Sequence, residues 1–347
     1  MSIDLRSDAV TRPTDEMWEA MRAARLGWAA VGEDAQVAEI EDMVARFVGK
    51  EAGMLVPTGS LANLLALLGQ SERGDQVIFD DLSHMLWAEE WGFAYVGGLV
   101  HRAVAGKGGR IAPGELDAAI RHHSFNHRPR TALVCLENSH NAAGGAVLPR
   151  DYMATIGALL QGRGIALHVD GARILNAAAA TGEQVHELVE YATSVSFNLN
   201  KGLSAPMGAV LCGSRPLIER SRLNIRRLGV GSMHQAGIYA AAGIVAIKTM
   251  IPQLAVDNRR ARDLAAAIDR TAGPGYSLWP VQTNIAFLTV AAQSGGAQGL
   301  QARLKNAGVL VSIAAEDTIR MVTHRHIGDA DLETVAQVFG KLARPCV

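Results

Sequence analysis

Three short segments carry residue types suited to holding an anion, a cationic heterocycle and an aldehyde. In TGSLANLLALLGQ (58–70), Gly59 and Ser60 stand where a strand ends and an apolar-periodic helix begins. The first amides of a helix lack internal partners and its dipole favours negative charge, so this corner is a seat for phosphate, with a serine hydroxyl as a further donor. In GIALHVDGAR (164–173), Asp170 closes an apolar run and Arg173 follows three residues later. A carboxylate at the C-terminal end of a buried parallel strand faces the crevice where α/β proteins bind ligands. Beside a protonated ring nitrogen it stays ionised despite burial. In VSFNLNKGLSAP (195–206), Lys201 lies in a Ser/Asn/Gly-rich loop just after another strand run. A lysine shielded from water near other cations gives up its proton and condenses with an aldehyde.

Each segment alone has an ordinary explanation: a serine-capped corner, an aspartate capping the next turn, a solvated lysine. The corner also lacks the GxxxxGK[ST] spacing of a P-loop. Together, each at a strand's C-terminal end, the three supply what pyridoxal 5'-phosphate needs. The helix N-terminus takes the phosphate, Asp170 the ring nitrogen and Lys201 the aldehyde.

Seven apolar runs position these groups: 53–57, 76–80, 95–104, 131–137, 164–170, 192–197 and 208–212. Near-continuous apolar runs separated by helix-length segments predict an α/β fold, a mostly parallel seven-stranded sheet with helices on both faces. Residues 1–14 read as an extended N-terminal arm, and Thr14 as the cap of the next helix. Residues 15–249 form the expected large cofactor domain and 250–347 a smaller α+β domain. The latter has three short strands (285–290, 309–313, 318–324). A long alanine-rich helix from His234 to Thr271 reads as the rigid connection.

The chain has 347 residues, 49% hydrophobic and 19% charged, with a formal net charge of −1. That balance suits a well-buried enzyme and offers no basic surface for nucleic acid or membrane. Three cysteines, Cys135, Cys212 and Cys346, make neither a disulfide framework nor a thiolate metal cage. The charged start MSIDLRSDAVTRPT is unlike a signal peptide, and no apolar run is long enough to span a bilayer. The expectation is a soluble, cytoplasmic protein.

At this point the chain resembles the low-specificity threonine aldolases, pyridoxal-phosphate enzymes of the aspartate-aminotransferase-like fold grouped with the β-eliminating lyases. The resemblance rests on DLRSDAVTRPT (4–14), VGED (31–34), GKEAGMLVPTGSLAN (49–63), LSH (82–84) and LENSHNAAGGAVLP (136–149). It continues through LHVDGARILNAA (167–178), NKGLSAPMGAVL (200–211), MHQAG (233–237) and IRMVTH (319–324), in the family's order across nearly the whole length. It implies that Lys201 is the Schiff-base lysine, Asp170 the ring-nitrogen partner, His84 the residue stacked on the cofactor, and Gly59 and Ser60 the phosphate ligands. Arg320, with Ser7 and Arg173, would hold the substrate α-carboxylate, and His127 would stand near the β-hydroxyl. Arg226 or Arg227 would reach a neighbouring subunit's phosphate, which implies a homodimer or homotetramer with shared sites.

The activity so implied is a carbon–carbon lyase reaction. The Cα–Cβ bond of L-threonine, L-allo-threonine or a related β-hydroxy-α-amino acid is cleaved to glycine and an aldehyde. The base for the β-hydroxyl proton is left open between His84, His127 and a water held by them. β-Elimination, racemisation, transamination, and aldol cleavage restricted to bulky or aryl substrates are alternatives at the same site. The sequence departs from the family at three places. Val31 stands where a tyrosine is usual, His234 replaces an arginine, and Trp91 replaces a glycine. Trp28, Trp87 and Trp91 either pack in core or interface or shape a pocket for bulky β-substituents. An NAD-dependent oxidoreductase is disfavoured, since GVGSMH (229–234) lacks the third glycine of GxGxxG. A metal hydrolase using His122, His123 and His127 is disfavoured too, because HHSFNH has no matched carboxylate motif.

Overall fold

In the computed structural model, which describes residues 2–121, 128–231, 233–273 and 275–342, the apolar runs become strands and the segments between them become helices. In the first part these strands are β1 (Ile3–Asp4), β2 (Ala52–Val56), β3 (Gln76–Asp80), β4 (Val100–Val104), β5 (Gly106–Lys107), β6 (Arg110–Ile111), β7 (Thr131–Glu137), β8 (Ala166–Gly171), β9 (Ser194–Asn198) and β10 (Ala209–Gly213). A seven-stranded sheet runs in the order β2-β10-β9-β8-β7-β3-β4. All its pairings are parallel except those of β10, which is antiparallel to β2 and β9. Both faces are covered. Ile78, Val134 and Leu136 enter one buried cluster, while their alternate neighbours Val77, Phe79, Leu133 and Cys135 enter another. Each such side chain contributes roughly 1.5–3 kcal/mol through burial.

The run 95–104 is shorter as a strand than its apolar length suggested. Gly92–Tyr95 is a helical turn and β4 begins only at Val100, because Gly97 and Gly98 intervene and Gly98 adopts φ +61°, which breaks an extended path. Thr14 caps helix Asp15–Arg22 as expected, its hydroxyl accepting from the Met17 amide at 3.2 Å.

The remaining strands are β11 (Tyr276–Leu278), β12 (Ile285–Val290), β13 (Val309–Leu310), β14 (Ser312–Ala315) and β15 (Thr318–Val322). They correct the expected three-stranded unit. A four-stranded sheet runs β11-β12-β15-β14, and β13 instead pairs in parallel with β1. The arm is therefore not simply extended: it contributes β1 and then a short 3-10 turn, Asp8–Val10. Helix 234–271 is also corrected. It is two helices, Gly237–Thr249 and Ile251–Thr271, bent by 65°, with Pro252 in the first turn of the second, where a missing N–H costs nothing. The second helix places Leu254 in the main core and Leu264 and Ile268 in the second core, beside Leu5, Leu288 and Met321. Among the described residues no single helix is long and apolar enough to cross a membrane.

Candidate active site

The corner after β2 is closed by Thr58, whose hydroxyl accepts from the Leu61 amide at 3.2 Å. Thr58 rather than Ser60 is thus the cap of helix Gly59–Gln70, and the amides of Gly59 and Ser60 are first-turn donors that the helix cannot satisfy from within. A Cβ on Gly59 would lie 2.5 Å from Asn198 Oδ1, so a larger residue here would displace the Asn198 amide at the end of β9. The free first-turn amides make this corner a donor site of the kind a phosphate needs.

Asp170 is the penultimate residue of β8, at 3% exposure. Its Oδ2 accepts from Asn63 Nδ2 at 2.9 Å and its Oδ1 from the Ala172 amide at 3.0 Å. Burial alone would raise this carboxyl, but the His84 and Lys201 charges and those two donors hold it below the usual carboxylate range. Behind it runs a chain of donors in one direction. Gln70 donates to Ser194 Oγ at 2.8 Å, and Ser194 faces His168 Nδ1 at 2.9 Å. His168 Nε2 in turn faces Asn63 Oδ1 at 3.1 Å. Full burial pushes His168 down to about 4, so it is a neutral relay that fixes Asn63.

Lys201 sits in the loop after β9, its carbonyl accepting from the Thr11 hydroxyl at 2.9 Å. Burial, then the Arg173 charge, lower its ammonium below the ordinary lysine value, the direction a Schiff-base lysine needs. His84 opens a short helix above this cleft, with Nδ1 3.2 Å from Glu89 Oε1. That bond raises its imidazole above the usual value against the opposing effect of burial. Ligand atoms of His84, Glu89 and Asp170 lie within 4.8 Å of one another.

Two arginines face the same region in different electrostatic states. Arg173 is forked onto Asp8, with Nε and Nη2 at 2.8 and 2.7 Å from its two oxygens, both side chains buried. Asn284 also donates to Asp8 at 3.2 Å. Arg320, on β15, donates to Asn141 Oδ1 at 2.7 Å and to the Arg6 carbonyl at 3.1 Å. Its Nε is buried without a partner among the described residues. Burial and the neighbouring Arg173 lower its pKa against the pull of Asp8, and among the described residues no carboxylate is within ion-pair distance of this guanidinium. Ser7 caps the turn that carries Asp8, accepting from the Ala9 amide at 3.1 Å.

The structure thus brings Asp170, Lys201, His84, Arg173 and Arg320 within electrostatic reach of one another, with Gly59 packed against Asn198 at the end of β9. Arg226 and Arg227 are exposed at the end of helix Arg215–Arg227, and their side chains donate elsewhere, to the Ala30 carbonyl and Asn224 Oδ1. His122, His123 and His127 lie outside the described residues. Trp91 occupies the left-handed region at φ +59°, a conformation glycine adopts without penalty. Its ring meets His101 at 4.6 Å and Trp87 at 5.7 Å, both edge to face, contacts that offset the backbone strain. Asp8, Asn63, Glu89, Asn141 and His168 had no sequence signal of their own, since each matters only through a distant partner.

Residues 4–293 match the family model described as beta-eliminating lyase. The chain is 38% identical over 335 residues to the low specificity L-threonine aldolase of Escherichia coli, covering 96% of this chain and 97% of that protein. It is 36% identical over 344 residues to low-specificity L-threonine aldolase 1 of Arabidopsis thaliana, covering 97% and 95%. Among solved structures it resembles a threonine aldolase of Leishmania major, with TM-score 0.85, 16% identity and coverage of 99% and 100%. It also resembles serine palmitoyltransferase of Sphingomonas wittichii, with TM-score 0.77, 18% identity and coverage of 98% and 87%. With a family match over residues 4–293 and relatives more than 35% identical over nearly the whole length, the chain belongs to the beta-eliminating lyase family and to its low-specificity threonine aldolases.

Proposed function

We propose that this protein is a pyridoxal-phosphate-dependent carbon–carbon lyase that cleaves L-threonine, L-allo-threonine or a related β-hydroxy-α-amino acid to glycine and an aldehyde. The observation that carries the reading is the pairing of a fully buried, ionised Asp170 with a buried, down-shifted Lys201 in one cleft. The residues present fit the cofactor. The Gly59 and Ser60 amides are first-turn donors that the helix leaves for an anion, Asp170 is a carboxylate awaiting a cation, and Arg320 Nε awaits an anion.

In this reading Gly59 and Ser60 hold the phosphate, Asp170 the protonated ring nitrogen, and Lys201 the aldehyde carbon, with His84 against the ring. Bound pyridoxal phosphate supplies an electron sink for the pair left on Cα when the Cα–Cβ bond breaks. Arg320 takes the substrate α-carboxylate, with Arg173 held beside it by Asp8 and Ser7 at the turn. That grip decides which Cα bond is presented for cleavage. His84, in its neutral form, accepts the β-hydroxyl proton directly or through a water; His127 is the other candidate. Loss of that proton lets the β-carbon leave as an aldehyde, and a proton delivered to Cα completes glycine.

We further assign the protein to the cytoplasm and to a homodimer or homotetramer in which Arg226 or Arg227 reaches a neighbour's phosphate. Supporting the first is the burial of Cys135 and Cys212 as free thiols. Supporting the second are the exposed apolar side chains Trp18, Leu26, Trp28 and Val31. Purified protein incubated with L-threonine should release equal amounts of glycine and acetaldehyde. Lys201→Ala should abolish both that release and the yellow absorption of the bound cofactor. Wild-type protein that binds the cofactor yet yields pyruvate and ammonia in place of glycine would overturn the reading in favour of elimination.

A further inference from the structure

Glu137 ends β7 in register with Asp170 on β8 and is 4% exposed. Both its oxygens are occupied by backbone donors from different loops. Oε2 accepts from the His84 amide at 3.0 Å and Oε1 from the Asn141 amide at 2.8 Å. Asn141 then accepts from Arg320 Nη1 at 2.7 Å through its side-chain oxygen. The carboxylate therefore ties the residue against the cofactor face to the residue gripping the substrate carboxylate. We infer that Glu137 is a positioning residue that sets His84 and, through Asn141, Arg320 in mutual register.

Its own place is over-determined. His140 Nε2 lies 3.9 Å from Oε2 while bonded to Asp80 at 3.0 Å, and both side chains are buried. The hairpin between β5 and β6 closes over this group, where a Cβ on Gly109 would come within 2.6 Å of the His140 ring. Glu137 is thus packed against the His140 ring while it holds the two amides. Removing an oxygen leaves a buried amide unpaired, which is costlier than losing the bond alone.

The inference rests on the roles given above to His84 and Arg320, and glycine binding tests it without the cleavage reaction. In the holoenzyme, Glu137→Gln keeps one acceptor for two amides, whereas Asn141→Ala cuts only the branch to Arg320. Glycine affinity, read from the change in cofactor absorption, should fall about tenfold or more in each variant. The visible circular dichroism of the bound cofactor should change in Glu137→Gln and stay as wild type in Asn141→Ala. The double variant should bind glycine within about threefold of the weaker single variant, since both act on one path. Wild-type glycine affinity in Asn141→Ala overturns the inference, as do losses that multiply in the double variant. If Glu137→Gln does not fold, Glu137→Asp, which keeps both oxygens but withdraws them by one methylene, replaces it, and wild-type glycine affinity in that variant overturns the inference. Wild-type protein that binds glycine normally but does not cleave threonine would sink the proposed reaction and leave this test intact.

Discussion

Glu89 Oε1 receives both His84 Nδ1 and Asn63 Nδ2, at 3.2 and 2.9 Å, so one oxygen links the imidazole to the residue that supports Asp170. Its bond to His84 is the largest cause of that residue's raised pKa. If neutral His84 is the base, the acid limb of kcat/KM lies above the pH of an ordinary imidazole. Glu89→Gln removes the raising contact, so His84 loses its proton at lower pH and the limb should move to lower pH. A pH–rate profile with an unmoved limb would assign the proton to His127 or to a water. Asp170 and Lys201 were readable in the sequence because each follows an apolar run that had to be a buried strand. Asp8 was not, because its partner Arg173 lies 165 residues away. A motif search sees residue type and local spacing, and a forked ion pair between distant segments has neither.

Helix Ile251–Thr271 packs in both cores and buries Asp257, whose Oδ1 accepts from Gln253 at 2.8 Å while Oδ2 has no partner among the described residues. Burial, with the Asp8 charge adding to it, raises this carboxyl to about 6. A group raised in the folded state favours folding fully below its unfolded pKa, and that contribution is lost as pH rises through the folded value. Asp257→Asn should therefore flatten the stability profile between about pH 4 and 6, and above pH 6 exceed wild type by up to about 3 kcal/mol. Denaturant unfolding at pH 4.5 and 7.5 checks this; the same pH slope in both proteins would contradict it. The helix as a whole was legible from its period, but its break at Met250 was not. Apolar periodicity continues through a bend when both halves are buried, and a proline in a helix's first turn looks the same in sequence as one that kinks it.

At the scale of the molecule, the seven-stranded sheet followed from counting apolar runs, whereas β11 and the β1–β13 pairing did not. Strands of two or three residues carry no period to read. The proposed exchange of arginines between subunits is open to complementation. Lys201→Ala subunits mixed with an Arg226→Ala/Arg227→Ala double variant should regain activity, because the hybrid dimer holds one complete site. Random reassortment limits recovery to about a quarter of wild type. No recovery from subunits shown by mass to have exchanged would place the phosphate's cation within one chain. The β1–β13 pairing also has a consequence for how the protein is made. Ile3 and Asp4 await Val309 and Leu310, and at about 5–20 residues per second that is roughly 15–60 s of synthesis. Asp8 rides on that arm, so the clamp on Arg173 belongs to a segment translated early and seated late. The nascent chain can build its central sheet while Asp8 is still unseated, and the pairing that fixes the arm forms only once Val309 and Leu310 have been made.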